Sequence, residues 1–253
     1  MTRNTEPQTV SRSQRLRRRI YRIPRLTRSV LNRLLRFLTR HLIRFEITGK
    51  ENIPRQGPLI VYINHVNFLD PVLACALVPR DVVPLSKVEN LRHPLIGPLA
   101  KAYGAIPVRR GEPDMYAYRS ALSVLEQGKA LLIAPEGTRS GHGRLQEGKD
   151  GMTLLALRTG AVLVPIGLVG QQHFRRRLQR LRRTHVRAAV GRPFRFQAPA
   201  GVEITREVVR EMTREAMGEL ARLLPPEWRG VYADSAEAPR RWIRYEDTPT
   251  DSA

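Results

Sequence analysis

Three short runs without a single charged residue constrain this chain more than anything else in it: LIVYI at 59–63, ALLIA at 130–134 and VLVPIG at 162–167. Each is too short for a buried helix and too continuously apolar for a strand with one wet face. Each therefore predicts a strand covered on both sides. Further strands are expected at 45–48, 81–85, 105–108 and 185–190. Helices are expected between them at 71–77, 94–103, 114–127 and 151–159, with Tyr118, Ala121, Leu122 and Leu125 on one face of the third. A last helix is expected at 205–224, stopped by Pro225 and Pro226. Strands alternating with helices imply an α/β fold, a central, largely parallel sheet flanked by helices.

Charge divides the chain. Residues 1–50 hold 14 Arg and Lys against 2 acids, and residues 171–195 hold 9 Arg against none, so these two segments account for the whole net charge of +21. The remainder is balanced like an ordinary enzyme. Residues 1–19 are polar and Arg-rich, and are expected to stay disordered until they meet an anion. After Pro24 a helix over 25–44 is expected, with Leu26, Val30, Leu34, Leu38 and Leu42 on one face and Arg28, Arg36, Arg40 and Arg44 on another. Such an N-terminal amphipathic basic helix suits an anionic membrane surface. It equally suits a helix packed on its own domain with a solvated basic side. The expected organisation is 1–43 as a basic membrane-associating segment, 44–232 as the catalytic domain and 233–253 as a disordered tail.

No apolar run approaches the roughly 18 residues that span a bilayer. The single cysteine, Cys75, can form no internal disulfide. Together these favour a cytoplasmic protein lying peripherally on the inner face of the cell membrane. A pI near 11.4 would permit nucleic-acid binding. However, the basic segments hold few aromatics for base stacking and no nucleic-acid fold signature, so that partner is not expected. No histidine or cysteine spacing suits a metal, and no prosthetic group is expected.

Polar clusters follow two of the apolar runs. Asn64-His65-Val-Asn-Phe-Leu-Asp70 follows the first, and Pro135-Glu136-Gly137-Thr138-Arg139-Ser140 the second. Ligands in open α/β sheets collect at such strand ends. Five residues on a helix would put His65 and Asp70 on different faces. A turn brings them together, with Pro71 opening the next helix and Asp70 as its N-cap. Asp70 could then fix the tautomer of His65, leaving its other nitrogen as a general base for a substrate hydroxyl. Arg109 and Arg110 close the 105–108 strand with guanidinium groups suited to phosphate. Gly137 permits close backbone approach, and a backbone N–H near it is a candidate oxyanion donor. Glu136 could hold Arg139 or Arg110 in position instead of touching substrate, and Lys149 could complete a phosphate site or be a surface lysine.

In order, Asn64-His65-x4-Asp70, Gly104-x-Ile106-Pro107-Val108-x-Arg110, Pro135 to Ser140 and Val164-Pro165-Ile166 resemble the four motifs of glycerolipid acyltransferases, the 1-acyl-sn-glycerol-3-phosphate acyltransferases above all. The likeness extends over 44–232 and includes Leu85-Ser86-Lys87. It implies acyl transfer from acyl-CoA or acyl-carrier protein, as co-substrate, to the free hydroxyl of lysophosphatidate, giving phosphatidic acid. It also implies His65 and Asp70 as the catalytic pair. Asn64, Arg110, Glu136, Gly137, Thr138, Arg139 and Lys149 would bind substrate, and Val164, Pro165 and Ile166 would line the acyl site. Ala134, Arg109 and the surroundings of Lys149 depart from the family pattern, which bears on headgroup and acyl length. An acceptor with another lysophospholipid or glycolipid headgroup remains the alternative.

Overall fold

The computed structural model describes residues 25–247, apart from 95, 110, 112 and 113, with side chains described from residue 30 except 31, 32, 36, 38 and 96. The 1–19 arm, Arg110 and residues 248–253 lie outside it, as do the side chains of Leu26, Arg28, Arg36 and Leu38.

A nine-stranded sheet forms the centre, in the order β1-β7-β6-β2-β5-β3-β4. Its strands are β1 (Ile43–Thr48), β2 (Leu59–Ile63), β3 (Val82–Lys87), β4 (Ile106–Val108), β5 (Ala130–Ile133), β6 (Val162–Val169) and β7 (Thr184–Val190). Two short strands, β8 (Phe194–Phe196) and β9 (Ile243–Tyr245), are added through β6. β2 lies between β5 and β6, parallel to both, with Leu59 opposite Ala130 and Val162. All five of its residues are buried. Leu59, Val61 and Ile63 face one core layer while Ile60 and Tyr62 face the other, the two-sided burial that its continuous apolarity demands. Filling both faces contributes on the order of 1.5–3 kcal/mol per large side chain.

Helices cover both faces. On one side lie α1 (Arg25–Leu42) and α2 (Asp70–Leu77); on the other lie α5 (Met115–Glu126), α6 (Gly151–Thr159) and α8 (Arg206–Arg222). Thr205 caps α8 by accepting from the Val208 N–H. The helix expected at 94–103 is two pieces, α3 (Val88–Arg92) and α4 (Ile96–Ala102). Pro94 holds the preceding His93 in an extended conformation (ψ 131°), which ends α3.

The tail expected to be disordered from 233 is ordered to 247. It forms α9 (Ala233–Glu237) and then β9, antiparallel to β8. Trp242 is 2% exposed and donates to Glu211. Arg240 pairs with the buried Glu219 at 2.6 Å. One large aromatic and acidic partners on α8 outweigh the polar composition around them.

β7 reverses direction. It runs antiparallel to β6, with Ile166 opposite Val190, and parallel to β1, with Ile43 opposite Thr184. The starts of β1 and β7 therefore lie at the edge of the sheet where β2, β5 and β6 finish.

Candidate active site

His65 leaves the end of β2 in a turn that Asp70 organises. The Asp70 carboxylate is fully buried, and its Oδ2 accepts from His65 Nδ1 at 3.0 Å and from the Val66 and Asn67 N–H groups at 2.7 Å each. A carboxylate can only accept here, so Nδ1 carries the proton and Nε2 is the basic nitrogen. The expected N-cap is corrected: α2 begins on Asp70, Leu69 is the cap residue, and the carboxylate turns back into the turn. The other oxygen, Oδ1, is buried without a hydrogen-bond partner among the described residues.

The loop after β5 grips His65 by its backbone. Glu136 Oε1 accepts the His65 N–H at 2.8 Å, Glu136 Oε2 accepts the Gln146 N–H at 2.9 Å, and the Ser140 N–H donates to the His65 carbonyl at 2.7 Å. The Glu136 carboxylate is thus engaged as a brace between two loops, which corrects its expected contact with substrate. Burial raises its pKa to about 7, against the stabilising pull of the two N–H groups, and the neighbouring charge of Asp70 adds to the rise. Ser140 makes this contact through its amide and not its side chain, so its residue type carries no sign of the role.

Gly137 sits at φ 70°, and its own N–H is donated to the Ala134 carbonyl at 3.0 Å, so among the backbone N–H groups near it this one is already engaged. A Cβ there would come within 3.0 Å of Lys149 Cε, so the glycine leaves room for the lysine to lie along the loop.

A cavity of about 800 Å³ opens beside His65. Its walls are mainly apolar: Leu35 of α1, Val72 and Cys75 of α2, Ala117 and Ala121 of α5, and Met152 and Leu155 of α6. Lys87, Arg109, Arg139 and Lys149 also line it. His65, Gly137, Arg139 and Lys149 are therefore gathered at one cavity. Lys87 and Arg109 join them; the sequence signal for Lys87 was its place in the Leu85-Ser86-Lys87 likeness, and the strand expected to end at 85 runs on to it. Thr138 is exposed and outside the lining.

Two further expectations are corrected. Asn64 is 1% exposed, and its amide both donates to and accepts from the backbone of Leu168, at 2.9 and 2.8 Å. It clips the end of β2 to β6 and is buried outside the cavity lining, away from substrate. Val164, Pro165 and Ile166 do not line the cavity; they sit in the middle of β6, paired with Val61, Tyr62 and Ile63, where a central strand is hidden by its neighbours. Among the described residues, no helix is long and apolar enough to cross a membrane, and no group of three or more His, Cys, Asp or Glu could hold a metal ion.

Residues 44–169 match the Acyltransferase family model. The chain is 31% identical to a 1-acyl-sn-glycerol-3-phosphate acyltransferase of Borreliella burgdorferi over 134 residues, 52% of this chain and 54% of the relative. It is 32% identical to a chloroplastic 1-acyl-sn-glycerol-3-phosphate acyltransferase of Arabidopsis thaliana, over 50% of this chain and 36% of the relative. Against the lyso-ornithine lipid O-acyltransferase of Pseudomonas aeruginosa it is 35% identical, over 57% and 53%. The chain thus spans at most about half the length of these relatives. The crystal structure of the 1-acyl-sn-glycerophosphate acyltransferase PlsC from Thermotoga maritima shares the fold, with a TM-score of 0.58, 22% identity, and coverage of 88% of this chain and 87% of that one.

Proposed function

Since residues 44–169 belong to the acyltransferase family, we propose that this chain transfers a fatty acyl group from acyl-CoA or acyl-carrier protein to the free hydroxyl of 1-acyl-sn-glycerol-3-phosphate, yielding phosphatidic acid. The observation that carries the reading is the His65–Asp70 pair, 3.0 Å apart, at an apolar cavity with four cationic side chains in its lining. His65 Nε2 removes the hydroxyl proton as the oxygen attacks the thioester carbonyl. Asp70, hydrogen-bonded at Nδ1, stabilises the imidazolium that forms. Collapse of the tetrahedral intermediate breaks the C–S bond, and the leaving thiolate takes the proton from His65. Lys87, Arg109, Arg139 and Lys149 supply charge for the acceptor phosphate, and the apolar walls take acyl chain. The reaction uses no metal or prosthetic group.

The substrates are amphiphiles, and α1 presents Val30, Leu34 and Phe37 to solvent. We place the chain peripherally on the inner face of the cell membrane, through this helix. A lyso-ornithine lipid, the acceptor in the name of the Pseudomonas relative, is the competing substrate, but four cations favour a phosphate.

Phosphatidic acid measured by mass spectrometry, from lysophosphatidate with each donor, tests the assignment. His65→Ala should lower turnover by at least about a hundredfold, the low end for a general base. Full activity in that variant, or no product from the wild type, would overturn it.

A further inference from the structure

The β6–β7 connection, residues 170–183, is outside the site described above, yet its build is unusual for a solvated loop. A helical turn over 171–173 and the short helix α7 (Phe174–Leu178) lead to a tight reversal. There the Arg182 N–H donates to the Arg177 carbonyl and the Leu181 N–H to the Leu178 carbonyl, both at 3.0 Å. Leu181, at the tip, is 94% exposed and has φ 53°, a left-handed conformation that leucine adopts only at a cost. Leu178 is exposed beside it. Around the two leucines, His173, Arg176, Arg177, Arg180 and Arg182 line a depression of about 300 Å³. No carboxylate among the described residues pairs with them. The segment thus displays apolar tips inside a ring of uncompensated guanidinium groups.

Its place in the fold matters as much. Because β7 is reversed, this loop lies at the edge of the sheet that carries His65. Phe174 meets Phe68 of the His65 turn edge-on, with ring centroids 6.3 Å apart. Arg183 donates to the carbonyls of Arg40 and Ile43 at the end of α1, joining the loop to the helix that exposes Val30, Leu34 and Phe37.

We propose that residues 170–183 are a second lipid-docking element, in which Leu178 and Leu181 enter the interfacial layer of an anionic bilayer while His173, Arg176, Arg177, Arg180 and Arg182 close on a lipid phosphate. This rests on the reading of the acceptor as a membrane lipid and deepens it. With α1 as one contact and this loop as the other, the cavity mouth is held toward the lipid and cannot swing away. A bilayer suits the combination of features better than other polyanions. It accepts leucine and arginine at the same depth, whereas a nucleic-acid duplex would leave Leu181 in water and finds no exposed aromatics here for stacking.

Leu181→Trp and Phe37→Trp, each in the full chain and each measured as the difference from the wild-type signal of Trp228 and Trp242, report the two contacts separately through fluorescence with phosphatidylcholine/phosphatidylglycerol vesicles carrying brominated acyl chains. Quenching and a blue shift at position 181 are expected. Quenching at 37 but not at 181 overturns the docking loop and leaves the membrane reading standing; quenching at neither position removes both. Arg176→Gln combined with Arg180→Gln should weaken partition to anionic vesicles about fivefold per charge, about 25-fold together, without changing partition to neutral ones. Unchanged partition, or tighter binding to duplex DNA than to anionic vesicles at the same salt, would overturn the assignment.

Discussion

Asp70→Asn separates the charge of the catalytic pair from its geometry. Oδ2 accepts from two backbone N–H groups that cannot turn away, so asparagine must keep its oxygen there. Its NH2 group then occupies the place of Oδ1, which is buried with no hydrogen-bond partner among the described residues. That unsatisfied donor costs about 1–3 kcal/mol of stability. The larger effect is on catalysis. An imidazolium and a carboxylate about 4 Å apart interact by about 4 kcal/mol at the effective dielectric of a protein site. Losing that interaction as the imidazolium forms lowers kcat about a thousandfold. KM for both substrates should hold, because Asp70 is fully buried and does not line the cavity. Free thiol released from acyl-CoA, followed at saturating lysophosphatidate, gives kcat directly, with circular dichroism to verify the fold. A folded Asp70→Asn enzyme within tenfold of wild-type kcat would show that the carboxylate does not act through His65.

Three other outcomes follow from the same geometry. Glu136, whose pKa rises from 4.5 to about 7 on folding, contributes stability that is fully present below about 4.5 and is lost as pH rises through about 7, about 3 kcal/mol in all; urea unfolding of wild type and Glu136→Gln from pH 4.5 to 8 should show their difference shrinking by that amount, and a flat difference refutes it. Gly137→Ala puts a Cβ against Lys149 at φ 70° and should cost about 1–2 kcal/mol of stability while raising KM for the phosphorylated acceptor more than for acyl-CoA; equal effects on both would contradict a role for Lys149 at the phosphate. Trp242→Ala empties a buried aromatic site and should cost about 3–5 kcal/mol, seen as a fall in Tm; an unchanged Tm would mean that the tail does not brace the sheet.

The parts of the structure legible in the sequence are those where one local rule has no competitor. The runs at 59–63 and 130–134 are too apolar to be anything but central strands, and they place His65 and Glu136 at adjacent strand ends. Pro71 makes a turn before α2 the simplest solution, so the meeting of His65 with Asp70 was foreseeable. Less legible were roles fixed by long-range pairing. Asn64 reads like a site residue, but its partner Leu168 lies at the end of a strand whose register no local pattern reveals. Val164 to Ile166 look like a pocket wall until β2 pairs with all three and β7 closes over Ile166. β8 and β9 have three residues each, too few for any periodicity, and β9 is held by Trp242 and by carboxylates of α8. The work of Glu136 and Ser140 passes through main-chain atoms of His65, which side-chain chemistry does not announce.

The reversal of β7 also sets a timetable for assembly. Among the described residues β1 pairs only with β7, so it waits for its neighbour until β2 to β6 have all been synthesised. Closing so large a loop is slow compared with forming local hairpins. Meanwhile the basic amphipathic helix just ahead of β1 has only β1, α2 and α4 to pack on, and its Val30, Leu34 and Phe37 stay uncovered. A nascent chain in that state would be sensitive to chaperones, and to any surface that shelters the helix, well before it contains a working catalyst.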